Sequence, residues 1–127
     1  MDKSQLKYLP SHEWAAIEGK IATVGITSYA VEQLTDVTHL QLPAIGKAVT
    51  AGKAFGEIES VKAVFDLNSP VTGTVAEVNK AVQQDPSLIN SDSYGVGWMV
   101  KIEMAPGATT DHLLDLAAYE KQLAESH

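Results

Sequence analysis

Runs of four to eight residues with alternating polar and apolar side chains, each cut short by glycine or proline, confine this chain to a small β structure. Lys20-Ile21-Ala22-Thr23-Val24-Gly25-Ile26 alternates as a half-buried strand does, and His39-Leu40-Gln41-Leu42 repeats the pattern until Pro43 stops it. Phe55 to Val61, Val64 to Asn68, Val71 to Val78 and Trp98 to Glu103 complete the predicted strands, punctuated by Gly46, Gly52, Pro70, Gly73 and Gly95/Gly97. Short strands at this spacing predict a mainly β fold, a flattened β-barrel/sandwich hybrid with short helices and a C-terminal α-helix. Ser28 to Leu34 has helical spacing, with Ser28 as cap. Asn79 caps Lys80 to Gln84, which Asp85-Pro86 ends. The C-terminal helix is predicted over about 110–125, with Leu113, Leu116, Ala117 and Leu123 on one face and Asp111 in its first turn. The expectation is a single domain over residues 1–127 with its hairpin core at about 20–103.

A chain of 127 residues needs no staples, because burying roughly two-thirds of its unfolded surface supplies a core. It has none to use: there is no cysteine, which excludes disulfides, iron–sulfur clusters, zinc thiolates and a cysteine nucleophile. Any thiol redox chemistry would arrive on a cofactor. Sixteen acidic residues against nine basic ones give a net charge of −7, and all nine basic residues are lysine. That balance argues against nucleic acid, which draws on clustered Lys/Arg and on forked arginines, and against anionic membranes. No apolar run approaches the ~18 residues of a spanning helix. The N-terminus has no secretory signal, so the expected compartment is a bacterial cytosol or, for a trimmed form, the mitochondrial matrix. His12, His39, His112 and His127 lack metal-ligand spacing, and no metal is expected. Gly95-Val96-Gly97 is too short for a dinucleotide loop, and no serine stands in a Gly-x-Ser-x-Gly elbow, so no catalytic constellation emerges. Trp14 and Trp98 read as core or cleft wall.

The informative stretch runs from Gly46 to Val75. Within it, Ile58-Glu59-Ser60-Val61-Lys62-Ala63 joins two strand-like runs, which places Lys62 on a tight hairpin turn. A solvated turn lysine is the ordinary reading, but a stiff hairpin can also present a tethered group on that amine. Gly46 and Gly73 stand sixteen residues before and eleven after Lys62, where tight turns would use glycine's access to φ > 0.

That frame around a hairpin lysine resembles the biotinyl/lipoyl carrier family. Glu59-Ser60-Val61-Lys62-Ala63 resembles one branch of it, the glycine cleavage H-protein family, in place of the Met-Lys-Met of biotin carriers or the Asp-Lys-Ala of 2-oxoacid dehydrogenase lipoyl domains. The resemblance covers nearly the whole chain. Leu9-Pro10-Ser11-His12-Glu13-Trp14, Val24-Gly25-Ile26-Thr27, Ser69-Pro70-Val71, Tyr94 with Gly97-Trp98, and Leu113-Leu114-Asp115 with Ala118-Tyr119-Glu120 follow in the family's order. The chain departs from the pattern at Phe65, where the family has a small residue, and at Gln41, Thr35 and Thr38-His39. The resemblance implies lipoate in amide linkage on Lys62, with Glu59, Val61, Ala63, Gly46 and Gly73 serving recognition of the hairpin. It implies a carrier and not an enzyme, one that takes an aminomethyl group from a pyridoxal-phosphate glycine decarboxylase to a tetrahydrofolate-dependent aminomethyltransferase. Dihydrolipoyl dehydrogenase would reoxidise the arm, and a lipoyl ligase or transferase would install it. The same resemblance places Ser11, Glu13 and Asp66 at a cleft that shelters the loaded arm, where the carboxylates would meet its terminal amine. A lipoyl-relay donor to other lipoyl domains, and an unmodified interaction module, are the alternatives.

Overall fold

Alternation along each strand sends one set of side chains inward, and two antiparallel sheets close on them. The computed structural model describes residues 3–125. A 3-10 turn at Lys3–Gln5 leads into β1 (Lys7–Tyr8), β2 (Glu13–Glu18), β3 (Ile21–Ile26), helix α1 (Ser28–Leu34), β4 (Val37–Gln41) and β5 (Ala48–Val49). The hairpin of β6 (Ala54–Ser60) and β7 (Val64–Asn68) follows, then β8 (Gly73–Val78), α2 (Lys80–Gln84), α3 (Ser87–Ser91), β9 (Val100–Met104) and α4 (Leu116–Glu125). Six strands pair in the order β1-β2-β3-β9-β8-β5 and three in the order β4-β6-β7. The two sheets stay separate, so the sandwich forms and the barrel does not close. Val24 of β3, Val75 of β8 and Ile102 of β9 meet Leu40 of β4, Ile58 of β6 and Leu67 of β7 in the shared core. Each such side chain contributes about 1.5–3 kcal/mol when fully buried. The sheet reaches ahead of the expected 20–103 stretch, because β2 pairs with β3 from Glu13↔Ile26 to Glu18↔Ile21.

A second, smaller cluster holds α4 against β1 and β2. Leu6, Tyr8, Trp14 and Tyr119 are buried in it, and Leu116 and Leu123 pack on them. Tyr8 and Tyr119 stack at 4.7 Å, and Tyr8 exchanges both backbone hydrogen bonds with Leu114 at 2.8 Å. Trp14 is fully buried here and its Nε1 donates to the Ser93 carbonyl, while Trp98 carries Lys101 Nζ over its ring at 5.1 Å. Among the described residues no helix is long and apolar enough to cross a membrane.

The helices differ from expectation in ways that side-chain chemistry explains. α4 starts at Leu116, not near 110, because Asp115 takes the cap: its carboxylate accepts the Ala118 N–H at 2.8 Å. Asp111 therefore lies outside the helix, and Ala117 is exposed while Tyr119 is its buried residue. α1 is capped by Thr27 and not by Ser28; the Thr27 hydroxyl accepts from Ala30 N–H. Asn79 caps α2 as expected, and its amide also donates to the carbonyls of Val96 and Trp98. The Asp85-Pro86 pair that ends α2 also begins α3, a helix the sequence reading did not contain. Asp85 accepts from the Ser87 N–H and hydroxyl there, and a proline costs nothing at a helix start.

Gly46 and Gly73 are needed for different reasons. Gly46 sits at φ +94°, a turn conformation, with open space where a Cβ would go. Gly73 is no turn residue: it opens β8, paired with Val49 and Met104, and a Cβ there would lie 2.1 Å from the Glu103 carbonyl oxygen. Gly73→Ala must spread the β8–β9 ladder and should cost about 3 kcal/mol, the upper end for overpacking. Gly46→Ala incurs only the left-handed backbone strain, about 1–2 kcal/mol. Urea denaturation of the two variants should rank them in that order; a Gly73→Ala protein with the wild-type midpoint would contradict the close approach.

Candidate functional site

Ser60 knots the turn between β6 and β7. Its N–H donates to the Ala63 carbonyl at 2.9 Å, and its hydroxyl oxygen accepts the N–H groups of Lys62 and Ala63, both at 3.1 Å. A serine opening a turn does this wherever the chain doubles back. Val61 N–H donates to the Asp36 carbonyl at 3.2 Å and so ties the tip to the approach of β4. Lys62 stands exposed on this turn beside Val61, which is 67% exposed, and half-buried Ala63. The turn thus presents an amine on a rigid backbone. Glu59 pairs across the sheet with Val64 and His39, and Glu57 with Asp66, so these carboxylates lie on the outer face of the small sheet.

The inner face of the same hairpin opens onto a cleft of about 410 Å³. Ile58 and Phe65 are cross-strand neighbours, yet Ile58 is 1% exposed and Phe65 48%. Ile26, Leu34, Ile58 and Leu67 form the buried floor, and Phe65 is an exposed apolar wall. The sequence singled out Phe65 only as a departure. Its significance needed the register, which puts it on the cleft side of an edge strand.

Glu13 lines this cleft and is buried, at 1% exposed. Its Oε1 accepts the Ser11 hydroxyl at 2.5 Å and its Oε2 accepts the Asn68 N–H at 2.7 Å. Asn68 Nδ2 in turn donates to Ser11 Oγ at 3.2 Å. Burial pushes the Glu13 carboxyl above its ordinary value, and the two hydrogen bonds offset that only in part. Asp66 also borders the cleft, but it is exposed, and its cross-strand partner is Glu57 on the outer face, so it reaches the space from the rim. Ser11 and Glu13 therefore come together, and Asp66 stands apart from them. Gly46 and Gly73 join neither group; both lie at the β5–β8 edge of the other sheet, where Gly46 N–H donates to the Val75 carbonyl.

His12, noted in the sequence for lacking metal-ligand spacing and as part of the Leu9–Trp14 motif, also lines the cleft. It holds φ +82°, with its N–H on the Leu9 carbonyl and its carbonyl accepting the Thr27 N–H, both at 3.0 Å. Histidine tolerates this left-handed region better than most residues. The Tyr119 hydroxyl lies 2.7 Å from His12 Nδ1 and 2.7 Å from Thr27 Oγ1. Burial holds the imidazole below its usual value and pushes Tyr119 up to about 12. Asn68, Tyr29 and Tyr119 carry no sequence signal of a site, because their roles depend on elements brought together from distant parts of the chain. Among the described residues no group of three His, Asp or Glu side chains could hold a metal ion, and His127 lies outside those residues. His112 is engaged elsewhere, with Nε2 2.7 Å from the Pro70 carbonyl.

The raised Glu13 pKa has a stability consequence of definite sign. A carboxyl with a folded pKa above its unfolded value contributes stability below the unfolded pKa, and that contribution is lost as pH rises through the folded pKa. Glutamine never ionises; its amide oxygen can still accept the Asn68 N–H, and its Nε2 can donate to Ser11 Oγ with that bond reversed. Glu13→Gln should therefore gain on wild type between pH 4 and pH 7 in paired urea melts. A difference that stays constant, or moves toward wild type, over that interval would contradict the burial of an ionisable group here.

The model of the family described as "Glycine cleavage H-protein" matches residues 6–126 of this chain. The glycine cleavage system H protein of Beutenbergia cavernae is 53% identical over 112 residues, covering 88% of each chain. That of Carboxydothermus hydrogenoformans is 47% identical over 120 residues, covering 94% of this chain and 92% of the relative. A mitochondrial glycine cleavage system H protein 2 of Arabidopsis thaliana is 47% identical over 116 residues, 91% of this chain and 74% of the relative. The crystal structure of a glycine cleavage system H protein from Mycobacterium marinum superposes with a TM-score of 0.87 at 40% identity, covering 95% of this chain and 98% of that one. An exposed hairpin lysine beside an apolar cleft, on a fold and sequence shared this closely, leads to one conclusion: the chain belongs to the glycine cleavage H-protein family, the lipoyl-carrying shuttles of the glycine cleavage system, which are carrier components and not enzymes.

Proposed function

We propose that Lys62 is the residue that carries lipoate, in amide linkage, and that the cleft beside β7 shelters the arm between visits to partner enzymes. One observation carries this reading: the same hairpin offers an exposed amine in a knotted turn and, three residues further along β7, an apolar wall leading into a 410 Å³ cleft. Three residues of strand span roughly 10 Å. Acylation would remove the Lys62 charge, which suits a side chain that must lie across Phe65. When bound, lipoate supplies a dithiolane able to take up a one-carbon amine together with electrons, thiol chemistry for which a chain without cysteine has no group of its own.

The rest is the work of this chain's residues. Phe65 and Ile58 offer apolar surface to an aliphatic chain, at most about 0.8 kcal/mol per CH₂ and less once rotamer freedom is lost, so docking is reversible. Ser60 keeps the turn stiff, which lets other proteins meet Lys62 in one geometry. Glu13 is the buried acceptor nearest a cationic end of the arm; an opposite charge beside it favours its ionised form. A neutral arm gives Glu13 no such partner, which makes the cleft prefer the amine-bearing arm. Asp66 adds negative charge at the rim. The partners we assign are the pyridoxal-phosphate glycine decarboxylase, the tetrahydrofolate-dependent aminomethyltransferase, dihydrolipoyl dehydrogenase and the lipoyl ligase or transferase. The bacterial cytosol and the mitochondrial matrix both suit this reading.

Intact mass after incubation with a lipoate ligase, ATP and lipoate tests the assignment. The wild-type chain should gain one lipoyl group and then support glycine-dependent CO₂ exchange with the decarboxylase. Lys62→Arg should melt within ~0.5 kcal/mol of wild type, as an exposed substitution does, and gain no mass. Lipoyl mass on Lys53 or Lys80 in that variant would overturn it.

A further inference from the structure

The hydroxyl of Tyr119 sits between two groups, and only one arrangement of protons satisfies all three. Thr27 Oγ1 already accepts the Ala30 N–H at 3.4 Å as the cap of α1, and Thr27 is fully buried. If Tyr119 donated to Thr27, the threonine hydroxyl would accept twice and its own proton would point at nothing. A buried donor left unpaired is costly. If Thr27 instead donates to the Tyr119 oxygen, Tyr119 donates onward to His12 Nδ1 and every proton is used. The relay then runs from Thr27 through Tyr119 to His12. An imidazole whose Nδ1 accepts must carry its proton on Nε2. Burial disfavours the imidazolium.

We propose that Tyr119, on the C-terminal helix, is a positioning residue that locks His12 as its Nε2–H tautomer, so that the cleft wall presents a hydrogen-bond donor where it would otherwise present a base. The inference rests on the reading of the cleft as a shelter for an amine-bearing arm. The reason a base is harmful there is chemical. Once an ammonium on the arm gives its proton to a base, the freed nitrogen lone pair forms a C=N bond while the C–S pair leaves onto sulfur, which takes the proton from the base. Water then adds to the carbon and yields formaldehyde and ammonia. A neutral histidine with a free lone pair on the wall would promote the first of these steps. With Nδ1 capped by Tyr119 and Nε2 protonated, His12 has no lone pair to offer. The other titratable groups near His12 are Glu13 on β2, Tyr29 on α1 and Asp66 at the rim on β7. Glu13 already accepts from Ser11 and Asn68, and its remaining lone pairs face the arm as a carboxylate, whose charge favours the protonated amine.

Two measurements test this. In the unmodified protein with ¹⁵N-labelled histidine, the nitrogen shifts of His12 should report the Nε2–H tautomer alone in wild type. Tyr119→Phe keeps the ring that stacks on Tyr8 and should show both tautomers. In lipoylated, methylamine-loaded protein without partners or folate, Tyr119→Phe should release ammonia and formaldehyde on the order of 10-fold faster than wild type, below what an evolved general base gives. The excess should rise with pH through the His12 titration, and the added change His12→Asn, which tolerates positive φ, should abolish it. Wild-type His12 as the Nδ1–H tautomer or as a mixture would overturn the lock, whether or not the variant folds. Equal release from Tyr119→Phe, or faster release that His12→Asn does not reverse, would overturn the protective role and leave Tyr119 a packing residue. Wild-type loaded protein that releases as fast as its urea-unfolded form would overturn the shelter itself, a failure distinct from a wrong tautomer.

Discussion

A buried carboxyl group joins the two sheets beside the cleft between them. Glu13 begins β2 of the six-stranded sheet, and its Oε2 takes the backbone N–H of Asn68 at the end of β7, the free edge of the three-stranded sheet. An edge strand normally leaves its outward N–H groups to solvent or to another chain. Here a side chain from the opposing sheet accepts one, so the hairpin is anchored at its base while its tip, with Lys62, stays exposed. The cleft is the gap that remains above this bridge. Burying an ionisable group has a cost, visible in the raised pKa, and its hydrogen bonds offset only part of it.

The same bridge organises the N-terminal turn. Leu9 to Glu13 carries Ser11, His12 and Glu13 into the cleft, and α4 holds that turn from behind. Tyr119 reaches His12, and Gln122 Nε2 donates to the Pro10 carbonyl at 2.8 Å. The helix at the end of the chain is therefore part of the site without lining it. The hairpin contributes differently, by strand alternation alone. β7 sends Phe65 and Leu67 inward and Asp66 outward, and the buried stretch of its inner face ends at Phe65. Apolar surface that leaves the core in this way, beside an exposed lysine, suits a tethered aliphatic chain better than it suits a diffusing ligand.

Local signals were legible wherever one segment decides the outcome. β7 runs over the residues that alternation selects, Asn79 caps α2, and the turn at Lys62 follows from two strand patterns four residues apart. Competition between neighbours was harder to read. Ser28 is the expected cap of α1, whereas Thr27 takes that place and its hydroxyl also bonds Tyr119, 92 residues away. α4 starts later than expected because Leu114 is held in a bridge with Tyr8 and Asp115 supplies the cap. The two-residue strands β1 and β5 have no period to detect. Gly73 looked like a turn glycine, whereas the carbonyl of Glu103 across the ladder is what excludes a side chain.

The sequence by itself determined the strand faces, the hairpin that exposes Lys62, the absence of any thiol and, through its order of motifs, the family. Those are properties of single segments or of composition, and they survive any arrangement of the rest. Tertiary structure alone decided that Glu13 is buried and Asp66 is not, that Phe65 faces a cleft, and that Tyr119 stands between Thr27 and His12. The physical reason is separation along the chain. Glu13 meets Asn68 across 55 residues and His12 meets Tyr119 across 107, and no local pattern encodes a hydrogen bond whose partner arrives only when two sheets and a helix close on one another.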